Sequence, residues 1–150
     1  MPPPPVIPIR ERPSALVTRL NLVANDANLY TESLRAPGYS DSTGNRDLAG
    51  IGDSLLRQFY QIEGRTRRKS RGAIQDIVGR LASNNNLAAR GFALGIDRYI
   101  LNNPSNQGAV PISLMATTME AILGAVFLDN GESLAAVKLV IIQFGLGWPE

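Results

Sequence analysis

An all-α fold is what this sequence predicts, and three observations carry the prediction. Apolar residues recur at helical spacing in one segment after another from residue 14 to the end. No alternating apolar and polar run reaches useful strand length. Turn-forming residues fall between the periodic segments, at Pro37-Gly38, Gly64, Asn102-Asn103-Pro104 and Asn130-Gly131. With 150 residues, 44% of them hydrophobic and 19% charged, the chain has the size and composition of one globular domain.

The elements follow in order. Residues 1–13 hold six of the ten prolines, which favour extended polyproline backbone and remove amide donors, so this stretch reads as an N-terminal tail or strap. The domain proper is expected over 14–150. Leu16, Leu20 and Val23 stand at helical spacing behind Ser14, which follows Pro13 and suits a cap. Further helices are expected over 29–34, 47–60, 70–83, 85–94, 112–128 and 133–144. No internal repeat is visible.

Composition narrows the chemistry. There is no cysteine, so neither a disulfide nor a thiolate zinc site is available. There is no histidine either, which removes the commonest general base and the imidazole metal ligands. Carboxylates with a hard cation such as magnesium are the main catalytic option left. The net charge of +2 says little by itself, so local clusters carry the argument. No apolar stretch of membrane-spanning length is free of polar interruption, and the N-terminus lacks the apolar core of a secretory signal, so an intracellular protein away from membranes is expected.

Four segments then resemble one family, in the family's order. Residues 29–40, LYTESLRAPGYS, resemble L-x-x-A-L-T-H-x-S-Y-x of ribonuclease III. Residues 45–56, NRDLAGIGDSLL, resemble its signature N-E-R-L-E-F-L-G-D-[SA]-V-L. Residues 82–88, ASNNNLA, are similar to V-S-N-x-x-L-A. Residues 114–129, LMATTMEAILGAVFLD, resemble I-L-A-D-A-F-E-A-L-I-G-A-I-Y-L-D. The resemblance implies the ribonuclease III endonuclease-domain helical bundle, in a small, divergent, fungal-type member. The sequence ends soon after the last segment, so no double-stranded-RNA-binding domain is expected downstream.

The resemblance further implies four carboxylates on two facing helices that bind magnesium or manganese and activate water at a phosphodiester. The first pair stands four residues apart and the second three apart, so each pair shares a helix face. Here those positions read Ala49 and Asp53, then Thr117 and Glu120. Alanine offers no oxygen and threonine only a neutral one, so magnesium affinity is expected to fall sharply. Asp47 lies about 120 degrees from Asp53 round the helix and does not substitute. Position 46, usually Glu in relatives, is Arg46.

Without a metal, Asp53 reads as part of a helical ion-pair row with Arg57 and Arg46. Glu120 is the only charged residue between 110 and 128, so burial demands a cation, hydrogen-bond donors or its own proton; a metal or an arginine from the signature helix would serve, and the arginine is favoured. Gly50 and Gly52 each cost a helix about 1 kcal/mol relative to alanine, a cost that close helix approach would explain. Gly50 stands where relatives carry an aromatic that packs across a homodimer.

Residues 64–72 concentrate Arg65, Arg67, Arg68, Lys69 and Arg71 without an acid, which suits contacts with duplex RNA phosphates near the expected site. Few aromatics lie near this run in sequence, so contact with duplex backbone and 2′-hydroxyls is favoured over base stacking on single strands. Three readings stay open. One is a catalytically impaired or inactive domain associated with double-stranded or structured RNA, like ribonuclease III-like proteins of mitochondrial ribosomes. Another is an active metal-dependent RNA-processing endonuclease using Asp53 and Glu120. The last is a partner subunit, in a homodimer or in a heterodimer with an active ribonuclease III. None requires a small-molecule cofactor.

Overall fold

The computed structural model of the chain describes residues 2–149. Its α-helices, in chain order, are α1 (Arg12–Arg19), α2 (Ala27–Leu34), α3 (Arg46–Thr66), α4 (Arg71–Leu81), α5 (Asn84–Ala93), α6 (Ile112–Asp129) and α7 (Leu134–Gln143), with short 3-10 turns at Ile9–Glu11, Ile96–Tyr99 and Pro104–Asn106. Apart from a single parallel bridge between Arg35 and Leu101, the described residues form no β pairing. The expected all-α class holds.

Helix α6 is the axis of the bundle. Its residues are apolar all round, so it buries itself rather than one face, and it packs against α3, α5, α2 and α7. Within residues 114–126 only Thr117 and Glu120 keep partial exposure. By length and hydropathy α6 also matches a membrane span, but 61% of it is buried inside this fold, as a core helix requires.

Local chemistry explains the other ends. Ser70, Ser83 and Ser133 cap α4, α5 and α7, each side chain accepting from the amide three residues on, and Asp26 caps α2 through the Asn28 amide. The C-terminal carboxylate of α6, Asp129, is buried and accepts from the amides of Asn25 and Asp26 at 3.1 and 2.6 Å and from the Tyr30 hydroxyl at 2.8 Å. Burial, then the bond to Asp129, raises the Tyr30 phenol above its ordinary range. This knot fixes the link between α1 and α2 against the end of α6.

Three expectations change. First, α1 begins at Arg12, with Pro13 in its first turn, where a missing amide costs nothing; Ser14 is not the cap, and Val23 lies beyond the helix, 80% exposed. The proline segment is pinned to the body: Arg12 donates to the Ile7 and Ile100 carbonyls at 2.9 and 2.6 Å, and Arg98 to that of Pro5 at 3.0 Å. Second, α3 does not stop near residue 60 but runs through Gly64, which is buried where a side chain would strike Ile74 and Trp148. Gly64 permits close packing and ends nothing. Third, the two signature-helix glycines differ. A Cβ at Gly52 would collide with the Glu120 carbonyl of α6, whereas Gly50 has nothing within 4 Å of that position.

That contrast gives paired expectations for unfolding in denaturant. Gly52→Ala drives α3 off α6 and lowers stability by about 1–3 kcal/mol, the usual cost of overpacking. Gly50→Ala fills open space in a helix and raises stability by about 0.5–1 kcal/mol. Equal effects would mean that the two helices do not approach closely at Gly52.

Candidate functional site

Two glycines set the geometry of the site. Gly52 lets the backbone of α6 at Glu120 close on α3, and Gly124 lets the backbone of α3 at Leu48 close on α6. The start of α3 is tied in as well: the buried Asn45 amide donates to the Ser33 carbonyl at 2.9 Å and to the Thr118 hydroxyl at 3.1 Å, joining α2, α3 and α6. These contacts bring Asp53 on α3 and Glu120 on α6 within hydrogen-bonding reach of each other.

The two acids are already provided for. Arg57, one turn on from Asp53, donates its Nε to both Asp53 oxygens at 3.2 Å. At 39% and 57% exposure this ion pair contributes only a few tenths of a kcal/mol, yet it places a cation on the carboxylate. Glu120 is pushed up to about 8, first by burial, then by its hydrogen bond to Asp53 and by the Asp53 charge, with the Arg57 cation pulling the other way.

The expected partners of these acids are thus found in part. Arg57 does face Asp53, but Arg46 turns away and donates to the Ser42 carbonyl at 3.4 Å. Glu120 is met by the neighbouring carboxylate, with the arginine charge acting as a secondary influence.

The other two positions bring no charge. Ala49 is buried and has no oxygen to offer. The Thr117 hydroxyl donates to the Ser113 carbonyl one turn back at 2.8 Å. Arg46 and Thr117 line one cleft of about 250 Å³ with Ser113 and Leu114, so the cleft next to the site carries a cation and not an acid. Asp47 lies on another face, in a groove with Gly50 and Phe127. Among the described residues no group of three or more acidic side chains gathers where it could surround a metal ion.

The basic run is not an open loop next to the acids. Arg65 closes α3, Arg67 caps it, Arg68 and Lys69 make a tight turn with Arg68 in the left-handed region at φ 58, and Arg71 opens α4. All five cations are exposed. At roughly 1.5 Å per residue, Arg65 is about 18 Å along α3 from Asp53. Arg67 is anchored, 3.6 Å from Glu63 and with its guanidinium 5.7 Å from the centre of the Trp148 ring. The expected lack of aromatics is thereby corrected, because the fold returns Trp148 from the far end of the chain to this turn. No local signal in the sequence marks that approach.

Residues 46–131 match the ribonuclease III domain family. The chain is 31% identical over 135 residues to a ribonuclease 3 of Oleidesulfovibrio alaskensis, covering 83% of this chain and 58% of that protein. It is 30% identical over 135 residues to a ribonuclease 3 of Sulfurovum, covering 85% of this chain and 60% of that protein. It therefore spans about three fifths of the length of these relatives. The ribonuclease III nuclease domain from Campylobacter jejuni has the same fold, with a TM-score of 0.77 at 21% identity, covering 90% of this chain and 97% of that one.

The upward shift at Glu120 couples stability to pH. Glu120 titrates higher in the folded chain than at its ordinary value of 4.5, so the fold binds more protons than the unfolded chain between 4.5 and about 8. Stability is then greatest at the acid end of this window and falls as pH rises through it. Melting temperature followed across the window is expected to decline in the native chain and to decline less in Glu120→Gln. The same slope in both would remove Glu120 as its source.

Proposed function

Because this chain belongs to the ribonuclease III family, we propose that it is a non-cutting ribonuclease III domain associated with double-stranded or structured RNA. The observation that carries the reading is the occupation of the acid site from within the protein. The resemblance implies acids at 49 and 117, and in their place stand a buried methyl group and a hydroxyl bonded to its own helix. Of the remaining two carboxyl groups, one is faced by Arg57, and burial and the neighbouring Asp53 push the other up to about 8. A divalent cation needs several deprotonated oxygen ligands, and here only two carboxyl groups remain to supply them, one of them already engaged by Arg57. The donor set does not fit a resident magnesium or manganese ion.

Contact with duplex RNA is assigned to the turn after α3. Arg65, Arg68, Lys69 and Arg71 are exposed cations there, while Arg67 is held by Glu63 and Trp148. Such a cluster engages backbone phosphates without reading sequence, so affinity should fall steeply with salt.

A second reading has support of its own. Gly50 opens a groove of about 620 Å³ on the outer face of α3, lined also by Ile51, Leu55 and Phe127. A groove there suits pairing with a second ribonuclease III domain, in a homodimer or a heterodimer, in which this chain is the subunit that does not cut.

Incubation of the pure protein with long duplex RNA and magnesium or manganese tests the proposal. No cleavage is expected from the native chain, and cleavage by Ala49→Glu/Thr117→Asp would locate the loss in those two positions. Cleavage by the native chain that disappears in Glu120→Gln would overturn the reading in favour of an enzyme. Binding should show a log–log salt slope of roughly −4, decreasing by about 1 for each of Arg65→Gln, Arg68→Gln and Arg71→Gln. Salt-independent binding, or none, would remove RNA as the partner of this face.

A further inference from the structure

Beyond the duplex contacts, we infer that the cleft between the α3–α4 turn, the exposed side of α4 and Trp148 binds a single-stranded RNA segment. An unpaired base would lie against the indole, and the flanking phosphates would meet Lys69 and Arg80. The cleft is an open surface groove of about 910 Å³, roomy enough for more than one nucleotide.

Its wall combines the groups that such a ligand needs. Lys69 comes from the turn, Gln75, Asp76 and Arg80 from α4, and Trp148 and Pro149 from the segment after α7. Lys69 and Arg80 are exposed, and no ion pair ties either one down among the described residues. Trp148 is only partly buried, so part of a large apolar ring borders the cleft. It is held in place: Arg67 lies over the ring without lining the cleft, and Gly64 leaves room for the indole edge beside Ile74. A preset aromatic surface next to two cations is the arrangement that binds single strands with little sequence preference.

The same groups argue against a duplex in this cleft. Bases inside a helix are already stacked on one another and do not offer a free face to an indole. Gln75 and Asp76 add a neutral donor and acceptor and a carboxylate acceptor, which suit base edges and the ribose 2′-hydroxyl more than a continuous phosphate backbone. The site thus fits a loop, an overhang or an unpaired end, and it is separate from the acid pair. It stands whether or not that pair cuts RNA.

Trp148 is the only tryptophan in the chain, so its fluorescence reports directly on this cleft. Titration of the full chain with short oligoadenylate or oligouridylate should give saturable quenching, with little from a blunt duplex and none from inorganic phosphate. Lys69→Glu/Arg80→Glu, with unchanged circular dichroism, should weaken the single-strand response about tenfold or more, while Arg65→Gln/Arg68→Gln/Arg71→Gln, which tests the duplex contact, leaves most of it. Trp148→Leu, followed by the anisotropy of a labelled oligonucleotide, should lose about tenfold in affinity from the missing stack. No quenching by single strands, equal quenching by blunt duplex, or a response indifferent to reversal of Lys69 and Arg80 would each overturn the inference.

Discussion

The crossing of α3 and α6 is the constraint on which the rest of the structure depends. Each helix gives up one side chain so that the other's backbone can come near: Gly52 faces the Glu120 carbonyl and Gly124 faces that of Leu48. Two glycines inside helices cost roughly 2 kcal/mol in helix propensity, which the burial of α6 offsets, since each fully buried Leu, Ile or Met contributes about 1.5–3 kcal/mol. The crossing is also why two acids from distant parts of the chain meet. Asp53 is the neighbour of Gly52, and Glu120 is the residue whose backbone Gly52 admits. Packing and site are one arrangement.

What the crossing presents is a charge problem solved locally. A pair of facing carboxylates repels unless a cation, a proton or a metal intervenes. Here the Arg57 guanidinium lies on Asp53, and burial and the Asp53 charge push Glu120 up to about 8, toward its neutral form. Thr117, the other partly exposed position on this stretch of α6, bonds back to Ser113, and Arg46 sits in its cleft. The site is complete as a structure, which supports reading it as a retained scaffold rather than a working metal centre. The exposed chemistry lies about 18 Å away at the end of α3, where the fold gathers cations and an indole.

Most of the helices were legible because their signals are local. Ser70 and Ser133 stand at the starts read for α4 and α7 and the apolar run from 112 announces a buried helix, whereas Ser83, read as a helix end, caps α5 instead. The acid pair was legible too, through spacing and resemblance, because i, i+3 and i, i+4 positions share a face whatever the tertiary structure does. What was hidden depends on contacts distant in sequence. Gly50 and Gly52 look alike in sequence, and only α6 distinguishes them. Gly64 reads as a stop, but it is where α3 gives room to Ile74 and Trp148. Pro13 and Ser14 suggest a later start for α1 than the one Arg12 secures through its bonds to Ile7 and Ile100. The sequence left the partner of Glu120 open among a metal, an arginine and its own proton, with the arginine favoured, because each suits a lone buried acid. The approach of Trp148 to the basic turn leaves no trace in composition or periodicity.

The proposed non-cutting role turns on an acid pair satisfied from within the chain, with no divalent ion bound there. Calorimetric titration of manganese into the pure protein at neutral pH, beside the Asp53→Asn variant, addresses it without depending on any substrate. The account predicts no saturable heat up to millimolar manganese and traces for the native and variant chains that coincide. Saturable binding that releases a proton and vanishes in Asp53→Asn would contradict it, because the ion would then be displacing the Glu120 proton and the Arg57 contact that are taken here to fill the site.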